Sequence, residues 1–248
     1  MLTNVNMGND DRNHRQQTTT KSNKVGNRRN ILIAIAVFLV SITAFGYLAH
    51  EVVQEKEDMF DSATFLLLAP YTNKFTLIIM RGFSFFGSHL FLLPAYALIV
   101  LTLCIKRHWR DAVIISAMAI SSYALMLILK DYFHRSRPNL RLAQIVNNYS
   151  FPSGHAFSSF VFATMLIHLV WQSRWNNKEK YVLSALLVLF SAIIGISRIV
   201  LKVHYASDVI AGFCIGMAWI AFIVCLNALS PKPNNEKALP KTTTNDNK

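Results

Sequence analysis

Pro152, Ser153, Gly154 and His155 stand at the mouth of an apolar run, residues 156–171, and together they read as the start of a membrane helix. Proline is pre-set for a first helical turn, and serine there can accept a hydrogen bond from a free backbone N–H. The N–H groups of Ser153, Gly154 and His155, with the positive end of the helix dipole, suit a phosphate, and glycine lets it approach the backbone closely. His155 adds a titratable group at the same spot. A second pair, His204 and Asp208, is spaced by four residues. On a helix that spacing lets the carboxylate accept from one imidazole nitrogen and leave the other free, as in an oriented nucleophile or base. Ser197 and Arg198 lie just upstream. Lys130 and Arg137, seven residues apart, can share a helical face about two turns apart, after which Pro138 stops the helix and biases Arg137 away from helical geometry. Each cluster also has a plainer reading: a turn before a helix, a helix-start aspartate beside a chance histidine, a snorkelling lysine beside a basic loop.

The elements that must position these residues are membrane spans. The chain has 248 residues, 53% of them hydrophobic and only 15% charged, with a mean hydropathy of +0.33, too apolar for an ordinary soluble domain of this length. Six apolar runs are long enough to span: residues 31–50, 89–105, 112–129, 156–171, 181–196 and 209–229. The expected fold is therefore an all-α, polytopic six-helix membrane bundle over residues 31–229. Polar tails, residues 1–30 and 230–248, read as disordered and cytoplasmic. An uncleaved first span fits the long polar leader better than a signal peptide does. Residues 51–88 mix an acidic start with apolar residues, Lys74, Arg81, Pro70 and Gly82, and predict short helices in the interface between the first two spans. A further span over residues 75–86 is the alternative, although about 12 residues is short for a crossing.

The net charge of +12 raises nucleic acid as a partner, but much of the excess lies in the tails and in short loops beside apolar runs, where it is a topology signal. With six spans, both tails and the basic loops 106–110 and 172–180 share a side, which the positive-inside rule places in the cytoplasm. Residues 51–88, 130–150 and 197–208 then face outward. Arg135, Arg137, Arg141, Arg198 and Lys202 stand on that side against the rule, and binding an anion is a reason for their presence there.

This topology brings three polar clusters to one membrane face: Lys130 to Pro138, Pro152 to His155, and Arg198 to Asp208. Together they offer several cationic donors, two histidines, an orienting carboxylate and a helix N-terminus, the set a phosphoryl group needs. The segments K-DYFHRS-RP, PSGH and SR-IVLKV-H-YAS-D resemble, completely and in order, the three signature motifs of the type-2 phosphatidic acid phosphatase family, over roughly residues 112–226. Among its members the six-span arrangement resembles the bacterial membrane lipid phosphatases of the phosphatidylglycerophosphatase B and undecaprenyl pyrophosphate phosphatase kind.

That resemblance implies a division of roles. His204 attacks phosphorus and becomes a phosphohistidine, with Asp208 holding its tautomer; His155 protonates the leaving oxygen and then activates water. Lys130, Arg137, Arg198, Ser153 and the Gly154 N–H hold the non-bridging oxygens, with Pro138 closing the first motif. No metal and no cofactor is expected. The expected partners are a lipid phosphate or diphosphate and the bilayer, with no nucleic acid; the oligomeric state is left open.

The remaining polar residues take plainer readings. His134, Arg135 and Arg141 are read as solvated loop residues more than as head-group contacts. His50, His89 and His108 sit at span ends, and His168 lies near the inner end of the fourth span. Cys104, Cys214 and Cys225 fall inside apolar runs and read as packing residues, and the Gly212–Gly216 pair as close helix packing inside the bundle. Two competing functions remain: a lipid phosphotransferase sharing the first chemical step, and an anion transporter, which would need charges on both sides of the midplane.

Overall fold

The structure is a computed structural model that describes residues 7–54, 59–139 and 149–229, with side chains from Arg28 onward except at positions 227 and 229. Among these residues the protein is all helical: α1 (Met7–Gln54), α2 (Met59–Leu68), a 3-10 turn (Ala69–Tyr71), α3 (Lys74–Phe86), α4 (His89–Ile105), α5 (Trp109–Phe133), α6 (Gly154–Gln172), α7 (Asn177–Val200) and α8 (Ala206–Leu229). Among the described residues six stretches are long and apolar enough to cross a bilayer: Arg28–Gln54, Lys74–Ile105, Trp109–Phe133, Gly154–Gln172, Asn177–Val200 and Ala206–Leu226.

The expected six spans are therefore present, with two changes at their edges. The second span is not residues 89–105 alone. Only Gly87 and Ser88 separate α3 from α4, so residues read as interfacial join the second span, leaving α2 and the 3-10 turn as the short helices before it. At the other edge α1 begins at Met7, so helix runs through most of the leader read as disordered. Extending an existing helix adds a hydrogen bond per residue, whereas starting one does not. Residues 1–6 and the tail 230–248 lie outside the described residues.

α8 is the hub. It packs against α1, α6, α7 and α2, while α6 also packs on α7, α3 on α7 and α4 on α5. Small residues permit the closest approaches. A Cβ on Gly212 would lie 2.7 Å from the Ser153 carbonyl oxygen, and one on Gly216 would lie 3.1 Å from the Phe160 ring. The pair thus serves helix packing inside the bundle, as its spacing suggests. Below the PSGH turn, Phe45, Phe133 and Phe151 pack with ring centroids 4.9–6.0 Å apart, in a core that includes Phe157, Val161, Ala211 and Cys214.

The distribution of polarity inverts that of a soluble protein. Large apolar side chains such as Leu90, Leu98, Leu101, Ile105, Ile120 and Ile128 are exposed, whereas Asp61, Arg135, Arg137, Ser153, Arg198, His204 and Asp208 are buried. Lipid accepts the first set, and the second must find partners inside.

Candidate active site

The first cluster is placed by the end of α5. That helix stops at Phe133, His134 adopts a left-handed conformation (φ 48°) and donates its N–H to the Lys130 carbonyl. Arg137 is therefore not on the helix with Lys130, contrary to the two-turn reading, because the chain has already turned before Pro138. The two cations meet by another route: Lys130 Nζ donates to the Tyr149 carbonyl at 2.7 Å and Arg137 Nη2 donates to the same oxygen at 3.2 Å. Arg137 Nη1 donates to the Val203 carbonyl at 2.7 Å and lies 3.2 Å from His204 Nε2. Pro138 is buried beside it.

At the second cluster, Ser153 occupies the cap position of α6, yet its side chain makes no capping bond. Its N–H donates to the Asp208 carbonyl at 2.9 Å, so this donor, expected to face a ligand, instead ties α6 to α8. The N–H groups of Gly154 and His155 belong to the first turn, which lacks intrahelical acceptors. The buried Ser153 Oγ has no partner. Lys130 Cε lies 3.7 Å from where a Gly154 Cβ would stand, and the His155 ring packs against Gly87, whose added Cβ would sit 3.1 Å from His155 Cδ2.

The third cluster is a tight loop between α7 and α8. The N–H groups of Val203 and His204 donate to the Arg198 carbonyl at 3.1 and 3.3 Å. Since α8 starts at Ala206, His204 precedes the helix, and its pairing with Asp208 is that of a loop residue with a first-turn carboxylate rather than of two residues on one helical face. Asp208 Oδ2 accepts from the Tyr205 N–H at 2.9 Å and lies 3.3 Å from His204 Nδ1. Arg198 donates through Nη1 to Ser84 Oγ, while its buried Nε has no partner.

These three clusters converge on the His204 ring. Burial first, then Arg137, Arg198 and Lys130, drive its pKa well below the ordinary 6.5, because each nearby cation opposes a further positive charge. Among the described residues no carboxylate forms an ion pair with Lys130 or Arg198. Arg198 is buried and Lys130 half-buried, and cations so placed without a carboxylate are groups that an anion can pair with.

Four residues that sequence reasoning left out enter the site. Ser150 Oγ donates to Asp208 Oδ2 and lies 3.3 Å from His204 Nδ1. Ser84 meets Arg198. Arg135, read as a solvated loop residue, is buried and ion-paired to Asp208 Oδ1 at 2.6 Å and to Asp61 Oδ2 at 2.9 Å. Burial works against its charge, but Asp208 and Asp61 outweigh that and raise its pKa. The usable signals were an outward arginine standing against the charge rule and an acidic residue, Asp61, leading an apolar run. Nothing in the spacing pointed to Ser84 or Ser150. Away from the site, His168 pairs with Gln172 and His134 packs on Tyr149; Arg141 lies outside the described residues.

With this geometry in place, similarities to known proteins can be compared with it. The model of the PAP2 superfamily matches residues 111–230. Over 184 residues the chain is 26% identical to phosphatidylglycerophosphatase B of Bacillus subtilis, covering 74% of this chain and 89% of that one. It is 29% identical over 183 residues to a lipid A 4'-phosphatase of Bacteroides thetaiotaomicron, covering 64% and 78%. A crystal structure of a transmembrane PAP2-type phosphatidylglycerolphosphate phosphatase from Bacillus subtilis has the same fold, with a TM-score of 0.66 at 23% identity over 81% of this chain and 98% of that one.

Proposed function

Starting from the chain's membership of the PAP2 superfamily, and hence from its being an integral membrane phosphatase, we propose that it hydrolyses a lipid phosphomonoester or diphosphate on the extracytoplasmic side through a phosphohistidine. The observation that carries this reading is the asymmetry around His204. Nδ1 faces Asp208 at 3.3 Å while Nε2 faces the cationic side at Arg137. Asp208 therefore favours the tautomer with its proton on Nδ1 and its lone pair on Nε2.

In the first step the Nε2 lone pair attacks phosphorus, the N–P bond forms, and the bond from phosphorus to the lipid oxygen breaks. Protonated His155 gives that oxygen its proton. In the second step neutral His155 takes a proton from water, the hydroxide oxygen attacks phosphorus, and the N–P bond breaks to release phosphate and restore His204. Lys130, Arg137, Arg198, Ser153 Oγ and the Gly154 N–H stabilise the equatorial oxygens, supplying the positive field that a metal supplies elsewhere. The lipid class rests on the placement of the site at the ends of spans and on the relatives named for phosphatidylglycerophosphate and lipid A. The side rests on the basic cytoplasmic loops.

The test is phosphate release by the purified protein from phosphatidate, phosphatidylglycerophosphate, a polyprenyl diphosphate and a phosphorylated glycolipid, with EDTA present. Release should persist in EDTA, vanadate should inhibit, and acid-labile, hydroxylamine-sensitive phosphate should be trapped on the protein. Activity lost in EDTA and restored by magnesium would overturn the metal-free mechanism, while label passing to a second lipid would make the enzyme a phosphotransferase. In intact cells, a membrane-impermeant thiol reagent should label a cysteine placed at Asn147 and spare one at Lys237; the opposite pattern would reverse the side.

A further inference from the structure

Asp208 is the carboxylate that orients His204, so whatever fixes Asp208 fixes the nucleophile. Its Oδ2 edge faces His204 Nδ1, Ser150 Oγ and the Tyr205 N–H. Its Oδ1 edge is held by a residue outside the roles assigned above, Arg135, whose Nη1 donates at 2.6 Å. The other branch of the same guanidinium, Nη2, donates to Asp61 Oδ2 at 2.9 Å.

Asp61 comes from α2, about 150 residues away in sequence, and is 1% exposed. It accepts from the Ser207 N–H at 2.8 Å and from Ser207 Oγ at 2.6 Å, while Ser207 Oγ in turn accepts from Arg135 Nη1 at 2.8 Å. The Tyr205 ring lies against the guanidinium, 4.1 Å from its central carbon. Arg135 is thereby clamped between two carboxylates and an aromatic face, and both residues flanking Ala206 belong to the clamp. A planar guanidinium fixes the plane of a carboxylate in a way a point charge does not.

We propose that Asp61 and Arg135 are positioning residues for the reaction: Arg135 sets the plane of Asp208, and Asp61 sets Arg135, so that Asp208 Oδ2 is presented to His204 Nδ1 with the proton kept on the imidazole. A short helix lying before the second span thus takes part in aligning the nucleophile. This rests on the reading of His204 as the nucleophile.

Three variants test it, each compared with wild type in the same lipid or detergent assay: Arg135→Met, the double variant Arg135→Met/Asp61→Asn, and Arg135→Lys. Arg135→Met leaves two buried carboxylates without their cation and should lower the melting temperature; removing the Asp61 charge in the double variant should restore much of it. The rate of phosphohistidine formation and kcat should nevertheless remain down by roughly 10- to 100-fold in the double variant, the order found when a residue that orients a metal-ligating side chain is removed, with KM unchanged. Arg135→Lys keeps the charge but not the fork, and should retain the melting temperature while losing kcat. If phosphohistidine formation returns to the wild-type rate together with stability, or if the lysine variant matches wild type, Arg135 serves folding alone and the proposal fails. Absence of a phosphoenzyme in the wild type would instead overturn the reading of His204.

Discussion

The two edges of the His204 ring sit in opposite surroundings. On the Nδ1 edge each charged group finds an opposite charge within the protein: Arg135 bridges Asp208 and Asp61, and Ser150 and Ser207 donate to the two carboxylates. On the Nε2 edge Arg137 stands 3.2 Å away; Ser153 Oγ and Arg198 Nε, in the neighbouring clusters, are buried without partners, as is Arg135 Nε on the other edge. Two carboxylates pair the cation on the first edge, whereas among the described residues none pairs with Lys130 or Arg198. The difference separates a part of the molecule built to hold geometry from a part built to receive charge. Arg135 and Arg137, two residues apart, fall on opposite sides of this division.

The strongest way to break the contrast is to remove the ring itself. His204→Ala should lower kcat by roughly 10^4-fold or more, the order seen when a nucleophile is deleted, and no phosphoenzyme should be trapped with any substrate. Phosphoenzyme in this variant would place the nucleophile elsewhere. Next come the donors proposed to hold the phosphoryl oxygens. Ser153→Ala and Arg198→Gln should each lower kcat by roughly 10^2- to 10^3-fold, as for loss of one donor to a developing oxyanion, with phosphate-release kinetics as the measurement. A change in KM alone would mean that these groups bind the ground state and transition state equally.

The Nε2 edge predicts a pH dependence. Attack needs Nε2 unprotonated, and His204 is held well below its ordinary 6.5 by burial and by Arg137, Arg198 and Lys130, against the opposing hydrogen bond from Ser150 and the facing carboxylate of Asp208. The acid limb of kcat/KM should therefore lie below pH 6.5 in the wild type. Removing a neighbouring cation favours protonation, so in Arg137→Gln the limb should move to higher pH, in addition to any loss of rate. A limb that stays in place across a full pH profile would mean that these cations do not govern the ring.

The sequence disclosed the Nε2 edge far better than the Nδ1 edge, and the reason is physical. Lys130, Arg137, Ser153, Gly154, Arg198 and His204 lie in compact segments at span ends, where a polar residue beside an apolar run stands out, and six apolar runs were enough to bring those ends together. The clamp on Asp208 is assembled from Asp61, Arg135 and Ser150, each ordinary in its local setting: an acidic residue in an acidic stretch, one of several loop arginines, a serine before a turn. Their pairing is a tertiary fact across distant segments. Local rules also misplaced details. The left-handed His134 ended α5 sooner than the face-sharing of Lys130 and Arg137 required, and Ser153 spent its N–H on α8.

The smallest effect expected concerns the seam that joins the two edges. Ser153 belongs to the receiving side and Asp208 to the holding side, and the Ser153 N–H donates to the Asp208 carbonyl at 2.9 Å. That contact depends on α6 and α8 approaching closely at Gly212, where an added Cβ would stand 2.7 Å from the Ser153 carbonyl oxygen and 3.2 Å from Ala156 Cβ. Backbone cannot yield as a flexible side chain does, so Gly212→Ala must push the helices apart. Overpacking of this kind costs about 1–3 kcal/mol, and even a slight misplacement at a reacting centre slows the chemistry. A lower melting temperature and a kcat reduced roughly tenfold are expected, with the phosphoenzyme still forming. Gly82 on α3 supplies the control, since nothing lies within 4 Å of its added Cβ, and Gly82→Ala should leave both measurements at wild-type values. If the two variants behave alike, the spacing of α6 and α8 does not set the alignment of Ser153 with Asp208, and the two edges of the ring are positioned independently.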